Sequence, residues 1–276
     1  MATGRAGPVA VARAERKGPG EVMRAERTAP EGAARADRTG PGIAMRADLR
    51  ADRAAPGAVV LVNPNTSTAT TAMMTAIARR TLGPARPVRG VTAARGPRML
   101  TDPDALRAAA PEVLAAGLRA TAGGDCAALL VAAFGDPGLA ALRVALAPTG
   151  VPVVGLGEAA LLEAAADGTP FGIATTTPLL ADAIHARVTA LGLGDRYTGL
   201  RLTAGYPERL SADPALLLDR LERAVRASAE RDGARAVVIG GGPLGEAAEE
   251  LHARCAVRVV APIPAACRAI TRLLTG

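Results

Sequence analysis

After Pro56 the chain alternates between short apolar runs and longer stretches of helical length. Runs such as 58–62 and 127–133 are continuously apolar, which is typical of strands buried on both faces of a parallel sheet. Several of the stretches between them begin with Ser, Thr, Asp or Pro, the residues that favour helix N-termini. The pattern therefore predicts an α/β fold built from repeated βα units around a mostly parallel sheet.

The pattern places eight strands and seven helices. The strands are expected near 58–62, 88–92, 127–133, 151–155, 171–175, 199–203, 236–240 and 257–261. The helices are expected near 68–82, 103–120, 159–166, 179–193, 214–231, 243–253 and 264–274.

Residues 1–56 follow a different pattern. The segment Arg13-Ala-Glu-Arg16 recurs in related form in a register of eleven, beginning again at Arg24, Arg35 and Arg46. Prolines recur between the units and would break a continuous helix, so the segment is predicted to be a disordered tail. An electrostatic docking arm is the alternative interpretation.

Charge and aromatic content argue against nucleic-acid binding. The tail holds eleven basic and seven acidic residues, which leaves only +3 of the net charge of +7 for the other 220 residues. Two Phe, two Tyr and no Trp provide almost nothing for base stacking. Apolar runs fall well short of the roughly 20 residues that cross a bilayer, and no secretory signal is recognisable. We expect a cytoplasmic protein without a membrane partner.

Cysteine usage indicates reduced, buried thiols. Cys126, Cys255 and Cys267 have no metal-ligand spacing and are too few for a disulfide framework. The sequence therefore predicts no metal site.

Four loops carry small or polar residues where an apolar strand stops. They are Asn63–Ser67, Ala132–Gly138, Thr175–Thr177 and Gly240–Pro243. In open α/β sheets ligands bind beyond the carboxyl ends of the strands, where helix N-termini favour anions. Each loop also has a plainer interpretation as a capped turn, because Asn, Asp, Ser, Thr, Gly and Pro are turn residues.

The order of these motifs resembles the Asp/Glu/hydantoin racemase superfamily, in its hydantoin racemase branch. The motifs are Asn63-Pro-Asn-Thr-Ser67, Gly96-Pro97, Phe134-Gly-Asp-Pro-Gly-Leu139, Gly155-Leu-Gly-Glu-Ala-Ala160 and Thr175-Thr176. The resemblance spans about 58–275. It implies two similar parallel-sheet α/β halves facing a central cleft that holds a small carboxylate or a cyclic amide. It also implies no metal or organic cofactor, and association into a homo-oligomer.

On this resemblance the chain divides into four parts. The tail occupies 1–56, the first half 57–156 and the second half 157–255, and the last strand and helix, 256–276, return to the first half. Similar enzymes place one cysteine in each half, on opposite faces of the substrate carbon. In this chain those two positions are Ala133 and Gly241, and neither side chain carries a proton.

The resemblance and the loops together give the candidate site. Because the two thiols are replaced, we expect a proton carrier from the nearest loops, with Glu158, Asp136 and Tyr206 as candidates. Two functions stay open: a cofactor-independent enzyme of the isomerase or lyase type that does not use thiols, and an inactive ligand-binding pseudoenzyme. The expected binding residues are Asn63, Asn65, Ser67, Phe134, Gly135, Thr175, Thr176, Gly241 and Gly242.

Overall fold

The computed structural model describes residues 57–276, and the tail expected at 1–56 lies outside the described residues. Each of the eight predicted strands is found. They are β1 (Ala58–Asn63), β2 (Val88–Thr92), β3 (Cys126–Val131), β4 (Val153–Gly155), β5 (Phe171–Thr175), β6 (Tyr197–Leu202), β7 (Ala236–Ile239) and β8 (Arg258–Val260).

Helices follow the strands, and side-chain caps begin several of them. Ser67, Asp102 and Asp213 each accept a hydrogen bond from a backbone N–H in the first turn of the helix that follows. The helices are α1 (Thr68–Leu82), α2 (Pro103–Thr121), α3 (Leu139–Leu146), α4 (Leu156–Ala164), α5 (Ala181–Ala190), α6 (Pro207–Ala212), α7 (Pro214–Asp232), α8 (Gly245–Arg254) and α9 (Pro262–Thr275). None of them is long and apolar enough to cross a membrane.

The strands form two parallel sheets with the same topology. The first has the order β2-β1-β3-β4 and the second the order β6-β5-β7-β8. The predicted α/β fold of two parallel-sheet halves is therefore confirmed. β1 and β3 are the central strands of the first sheet, and β5 and β7 are the central strands of the second. The loops after these four strands therefore lie at the carboxyl edges, where parallel sheets of this type bind ligands.

The end of the chain corrects one expectation. β8 pairs with β7, so the last strand completes the second sheet and does not return to the first half. The register is parallel, with Val237 opposite Val259 and Val238 opposite Val260, which buries the apolar strand against its sequence neighbour. Only α9 crosses back, and it packs on α1 and α4.

A continuous core joins the two sheets. Leu61 and Leu130 of the first sheet share one buried cluster with Ile173 and Val238 of the second and with Ile263 of α9. These side chains are almost wholly aliphatic, as the scarcity of aromatic residues requires. Because protein interiors are close-packed, this shared core fixes the distance between the strand ends that carry the site loops.

Candidate functional site

A cavity of about 280 Å³ lies where the carboxyl ends of the two sheets meet. The loops after β1 and β3 line it from one half, and those after β5 and β7 line it from the other. The halves touch closely at its floor, since a β-carbon on Gly242 would lie 3.0 Å from the carbonyl oxygen of Ala132. We call this the main cavity.

The Asn63–Ser67 loop is a rigid hydrogen-bonded turn. The Nδ2 of Asn63 donates to Asn65 Oδ1 at 2.9 Å and to Thr71 Oγ1 at 3.0 Å, and Asn63 Oδ1 accepts from the backbone N–H of Asn65. Asn65 Oδ1 also accepts from the backbone N–H of Ser67 at 2.9 Å. Because a backbone N–H can only donate, the oxygen of the Asn65 amide is fixed on this side and its nitrogen on the other.

The Asn65 amide nitrogen is consequently an oriented donor for the main cavity. Asn65 is only 4% exposed and lines the cavity, yet its Nδ2 has no hydrogen-bond partner within residues 57–276. From the opposite half, Thr176 is 6% exposed and also lines the cavity, and its hydroxyl is equally without a partner in the described chain. Neither atom is among the fully buried polar atoms without a partner, so both keep access to the cavity and are available to hydrogen-bond a ligand there.

Six of the nine expected binding residues line the main cavity, and three support it from behind. Thr175 is fully buried and donates from Oγ1 to the carbonyl oxygen of Gly240 at 2.6 Å, which fixes the end of β7. Asn63 and Ser67 hold the first loop and cap α1. The lining residues are Asn65, Phe134, Gly135, Thr176, Gly241 and Gly242.

The two positions that the resemblance assigns to thiols also lie on the main cavity. Ala133 follows β3 in the first half, and Gly241 follows β7 in the second. A β-carbon on Gly241 would lie 3.1 Å from the side chain of Leu244, so a larger residue there needs a small shift of that leucine. None of the chain's three cysteines lines the cavity. Burial raises the pKa of the Cys267 thiol to about 12.

The candidates Asp136 and Glu158 belong to an ion-pair network that does not line the main cavity. Asp136 accepts hydrogen bonds from the backbone N–H groups of Gly157 and Glu158, both at 2.8 Å, and from Arg187 Nη2 at 3.0 Å. Glu158 pairs with the same Nη2 and with both terminal nitrogens of Arg143. These contacts tie the loop after β3 to the start of α4.

Burial dominates the titration of Asp136. It raises the pKa of this carboxyl to about 6, although the Gly157 and Glu158 N–H groups and Arg187 oppose the shift. For Glu158 burial also acts to raise the pKa, but hydrogen bonds and charge from Arg143 and Arg187 bring it below its ordinary value. Both carboxylates therefore act mainly as supports for the loop.

Tyr206 is placed away from the lining. It precedes Pro207 at the start of α6 and is 73% exposed. Pro207 and Ser211 of the same segment do line the main cavity, so the segment reaches the site while the tyrosine points elsewhere.

The sequence analysis missed the carboxylates that line the main cavity. Glu246 and Glu250 lie one helical turn apart on α8, directly after the glycine loop that ends β7. Glu250 accepts a hydrogen bond from Arg254 at 2.7 Å, whereas Glu246 has no ion-pair partner within residues 57–276. The signal in the sequence was a pair of glutamates four residues apart, which a helix places on one face, shortly after the Gly240–Pro243 loop. Among residues 57–276, no basic residue lines this cavity.

No group of three or more His, Cys, Asp or Glu side chains within 57–276 is placed to hold a metal ion. What the fold offers is a cleft between the carboxyl ends of two parallel sheets with one hydrogen-bonding side chain from each. This architecture defines an α/β protein of two similar halves with a cavity between the carboxyl ends of their sheets.

Comparison with known proteins gives the family. The chain belongs to the Asp/Glu/Hydantoin racemase family, whose model matches residues 59–270. It is 26% identical over 216 residues to a hydantoin racemase of Paenarthrobacter aurescens, covering 78% of this chain and 90% of that protein. An allantoin racemase of Klebsiella pneumoniae superposes with a TM-score of 0.72 at 26% identity, covering 79% of this chain and 87% of that one.

A more distant solved structure shares the fold. Arylmalonate decarboxylase is 24% identical, with a TM-score of 0.55 over 79% of this chain and 93% of its own. The resemblance to the racemase family, stated from the loop motifs, is confirmed by the family match.

Proposed function

We propose that this protein binds a small uncharged cyclic amide, a hydantoin-type ring, in the main cavity and acts on it without a thiol pair. One observation carries the proposal: Asn65 Nδ2 and the Thr176 hydroxyl, from opposite halves, face the same cavity with no partner in the described chain. A ring carbonyl satisfies the Asn65 donor, and a ring N–H or a second carbonyl satisfies the hydroxyl.

The charges on the lining separate the two ligand classes that the sequence left open. Glu246 and Glu250 are the charged residues on the lining of the main cavity, and no Lys or Arg of residues 57–276 lines it. Glu250 is paired with Arg254, so a carboxylate ligand would meet the charge of Glu246 without a lining cation to offset it, which disfavours its ionised form. A neutral ring amide needs only the hydrogen bonds that Asn65 and Thr176 offer. The cavity therefore favours the cyclic amide over the carboxylate.

The names of the similar proteins support this ligand class. The relatives are called hydantoin racemase and allantoin racemase, and both names refer to cyclic amides. The apolar part of the lining, which includes Leu106, Leu217 and Leu218, suits an apolar substituent on such a ring.

Proton transfer in this chain requires a group other than a thiol. Ala133 and Gly241 occupy the positions of the family's cysteines by resemblance, and neither can carry a proton. Glu246 is the carboxylate on the lining without an ion-pair partner in the described residues, and it lies on the same side as Gly241. Glu158, Asp136 and Tyr206 do not line the cavity, so the geometry favours Glu246 as the base.

The proposed step is a proton exchange at the substituted ring carbon. The Glu246 carboxylate takes the proton from that carbon, and the C–H electron pair moves to the adjacent carbonyl to give an enolate. The Asn65 N–H stabilises the enolate oxygen, as oriented donors do in other enzymes. Return of a proton to the carbon restores the carbonyl, and delivery to the opposite face inverts the centre.

Solvent exchange tests this step. A 5-substituted hydantoin is incubated in D₂O, and the signal of its ring C–H is followed by ¹H NMR against a sample without protein. We expect signal loss above background that Glu246→Gln reduces about 100-fold or more. The control is Glu249→Gln on the same helix, whose carboxylate pairs with Arg80 and does not line the cavity. Equal exchange in the Glu246→Gln variant would overturn the assignment of the base.

A second function is favoured by the replaced thiol positions. If the hydantoin binds but its C–H signal decays only at the background rate, the protein is a binding member of the family without turnover. That result contradicts the proposed chemistry and leaves the ligand class intact.

A further inference from the structure

A second cavity of about 270 Å³ adjoins the main cavity. The two share part of their walls, so they lie side by side. The shared lining residues are Leu106, Phe134, Gly135, Thr177, Leu180 and Gly240. We call the second space the arm cavity.

The remaining wall of the arm cavity is one face of α5. Ala183, Ile184, Ala186 and Ala190 make it apolar, and Arg187 is its one charged lining residue within the described chain. The main cavity carries charge of the opposite sign, through Glu246 and Glu250. The two spaces therefore differ in the ligand groups they favour.

The Arg187 guanidinium is held in place but keeps hydrogen-bond donors without a partner in the described chain. Its Nη2 donates to Asp136 at 3.0 Å and to Glu158 at 2.9 Å. Its Nε is buried without a partner, and its Nη1 makes no hydrogen bond within residues 57–276. Arg143 neutralises Glu158 from the other side through a bidentate pair. A cation fixed by one nitrogen with another left free is suited to recognising an oxygen ligand.

We propose that the arm cavity is a subsite for the substituent of the bound ring, and that it selects an apolar arm of a few carbons ending in a carboxylate that pairs with Arg187. This inference rests on the proposed function, because the ring must occupy the main cavity. The apolar wall of α5 takes the methylene groups of the arm by burial of apolar surface. The terminal carboxylate gains a charge-assisted hydrogen bond from the Arg187 guanidinium.

Three ligands with one ring and arms of equal length test the subsite. They are hydantoins carrying at carbon 5 a butyl, a 3-carboxypropyl or a 4-aminobutyl arm, and 5-methylhydantoin serves as the ring without an arm. Titration calorimetry at pH 7 measures their dissociation constants. We expect the carboxylate arm to bind about 10-fold more tightly than the butyl arm, and the ammonium arm to bind more weakly than either.

Three variants test whether this preference arises in the subsite. Arg187→Met should remove the advantage of the carboxylate arm over the butyl arm. Arg143→Met is the matched control, because it disturbs the same ion-pair network without removing a lining residue, and it should keep the advantage. Ala183→Leu does not depend on the ion pairs. It should weaken all three armed ligands and leave 5-methylhydantoin unchanged.

The outcomes separate this inference from the function it rests on. If 5-methylhydantoin binds while the butyl and carboxylate arms bind equally, the proposed function stands and the subsite is rejected. A preference for the ammonium arm would show that Glu246 and Glu250 receive the arm, which also rejects the subsite. If no ligand with this ring binds, the proposed function itself fails.

Discussion

Gly157 lies so close to Phe134 that a β-carbon at position 157 would stand 1.9 Å from the Phe134 carbonyl oxygen. The start of α4 and the loop that lines the main cavity therefore fit together only through this glycine. Gly157→Ala should force the two backbones apart and destabilise the fold by about 2–4 kcal/mol, and it should weaken ligand binding. Chemical denaturation and calorimetry measure the two effects.

The matched control is Gly194→Ala. A β-carbon there meets nothing within 4 Å, and its backbone angle needs no glycine. A stability change of similar size in both variants would show that the Phe134 contact is not the cause.

The Thr176 hydroxyl should contribute directly to binding. Thr176→Val keeps the shape of the side chain and removes the hydroxyl, so a hydantoin ligand should bind about 3- to 10-fold more weakly, with little change in melting temperature. Thr203→Val is the control, because the Thr203 hydroxyl is buried without a partner in the described chain and does not line the main cavity. An equal loss of affinity in both variants would contradict a contact between Thr176 and the ligand.

The buried Asp136 carboxyl should make the stability of the folded protein depend on pH. Burial raises its pKa to about 6 in the folded state from an ordinary value of 3.8, so the folded state binds the proton more tightly than the unfolded state does. Protonation of Asp136 therefore stabilises the folded state. This contribution is present in full below the unfolded-state pKa of 3.8 and is lost as the pH rises through 6. The free energy of unfolding of the wild type, minus that of Asp136→Asn, should fall by about 2 kcal/mol between pH 4 and pH 7. A difference that rises with pH would show that the Arg187 ion pair outweighs burial.

Thiols introduced at the two positions that the resemblance assigns to cysteines should speed proton exchange on the ring. The double variant Ala133→Cys, Gly241→Cys places one thiol on each side of the main cavity, and we expect ring C–H exchange in D₂O to rise about 100-fold or more over the parent. Because the side chain of Leu244 lies close to the new β-carbon at 241, the melting temperature is measured in parallel. The serine pair at the same positions is the control. A folded cysteine pair with no gain would contradict the placement of these two positions.

The sequence predicted the fold well because parallel strands buried on both faces read as continuous apolar runs. The runs around Val60, Leu130 and Val238 were identified for that reason, and the glycine and asparagine loops after them lie at the site. The last strand was wrongly predicted to return to the first half. Its pairing with β7 depends on tertiary packing, which the three residues of the strand do not reveal. The short helices α3 and α6 were also absent from the predicted set.

The candidate acids show the limit of reasoning from loop position. Asp136 and Glu158 stand in the correct loops, but whether a side chain faces the cavity or an arginine depends on partners far along the chain. Arg187 is 51 residues from Asp136 in sequence. Glu246 stands in the first turn of α8, where a glutamate is usually explained by the helix dipole, so its place in the sequence does not mark it as a site residue.

The central claim is that the main cavity recognises an uncharged cyclic amide rather than a carboxylate. Calorimetric titration at pH 7 with 5-benzylhydantoin and with its ring-opened counterpart, N-carbamoylphenylalanine, tests it most directly, because the two ligands share a substituent and differ in the ring and the charge. We predict that the hydantoin binds at least 10-fold more tightly, since Asn65 and Thr176 meet a neutral ring and the Glu246 carboxylate, which has no ion-pair partner in the described residues, repels a carboxylate. Equal or tighter binding of the ring-opened acid would contradict the account.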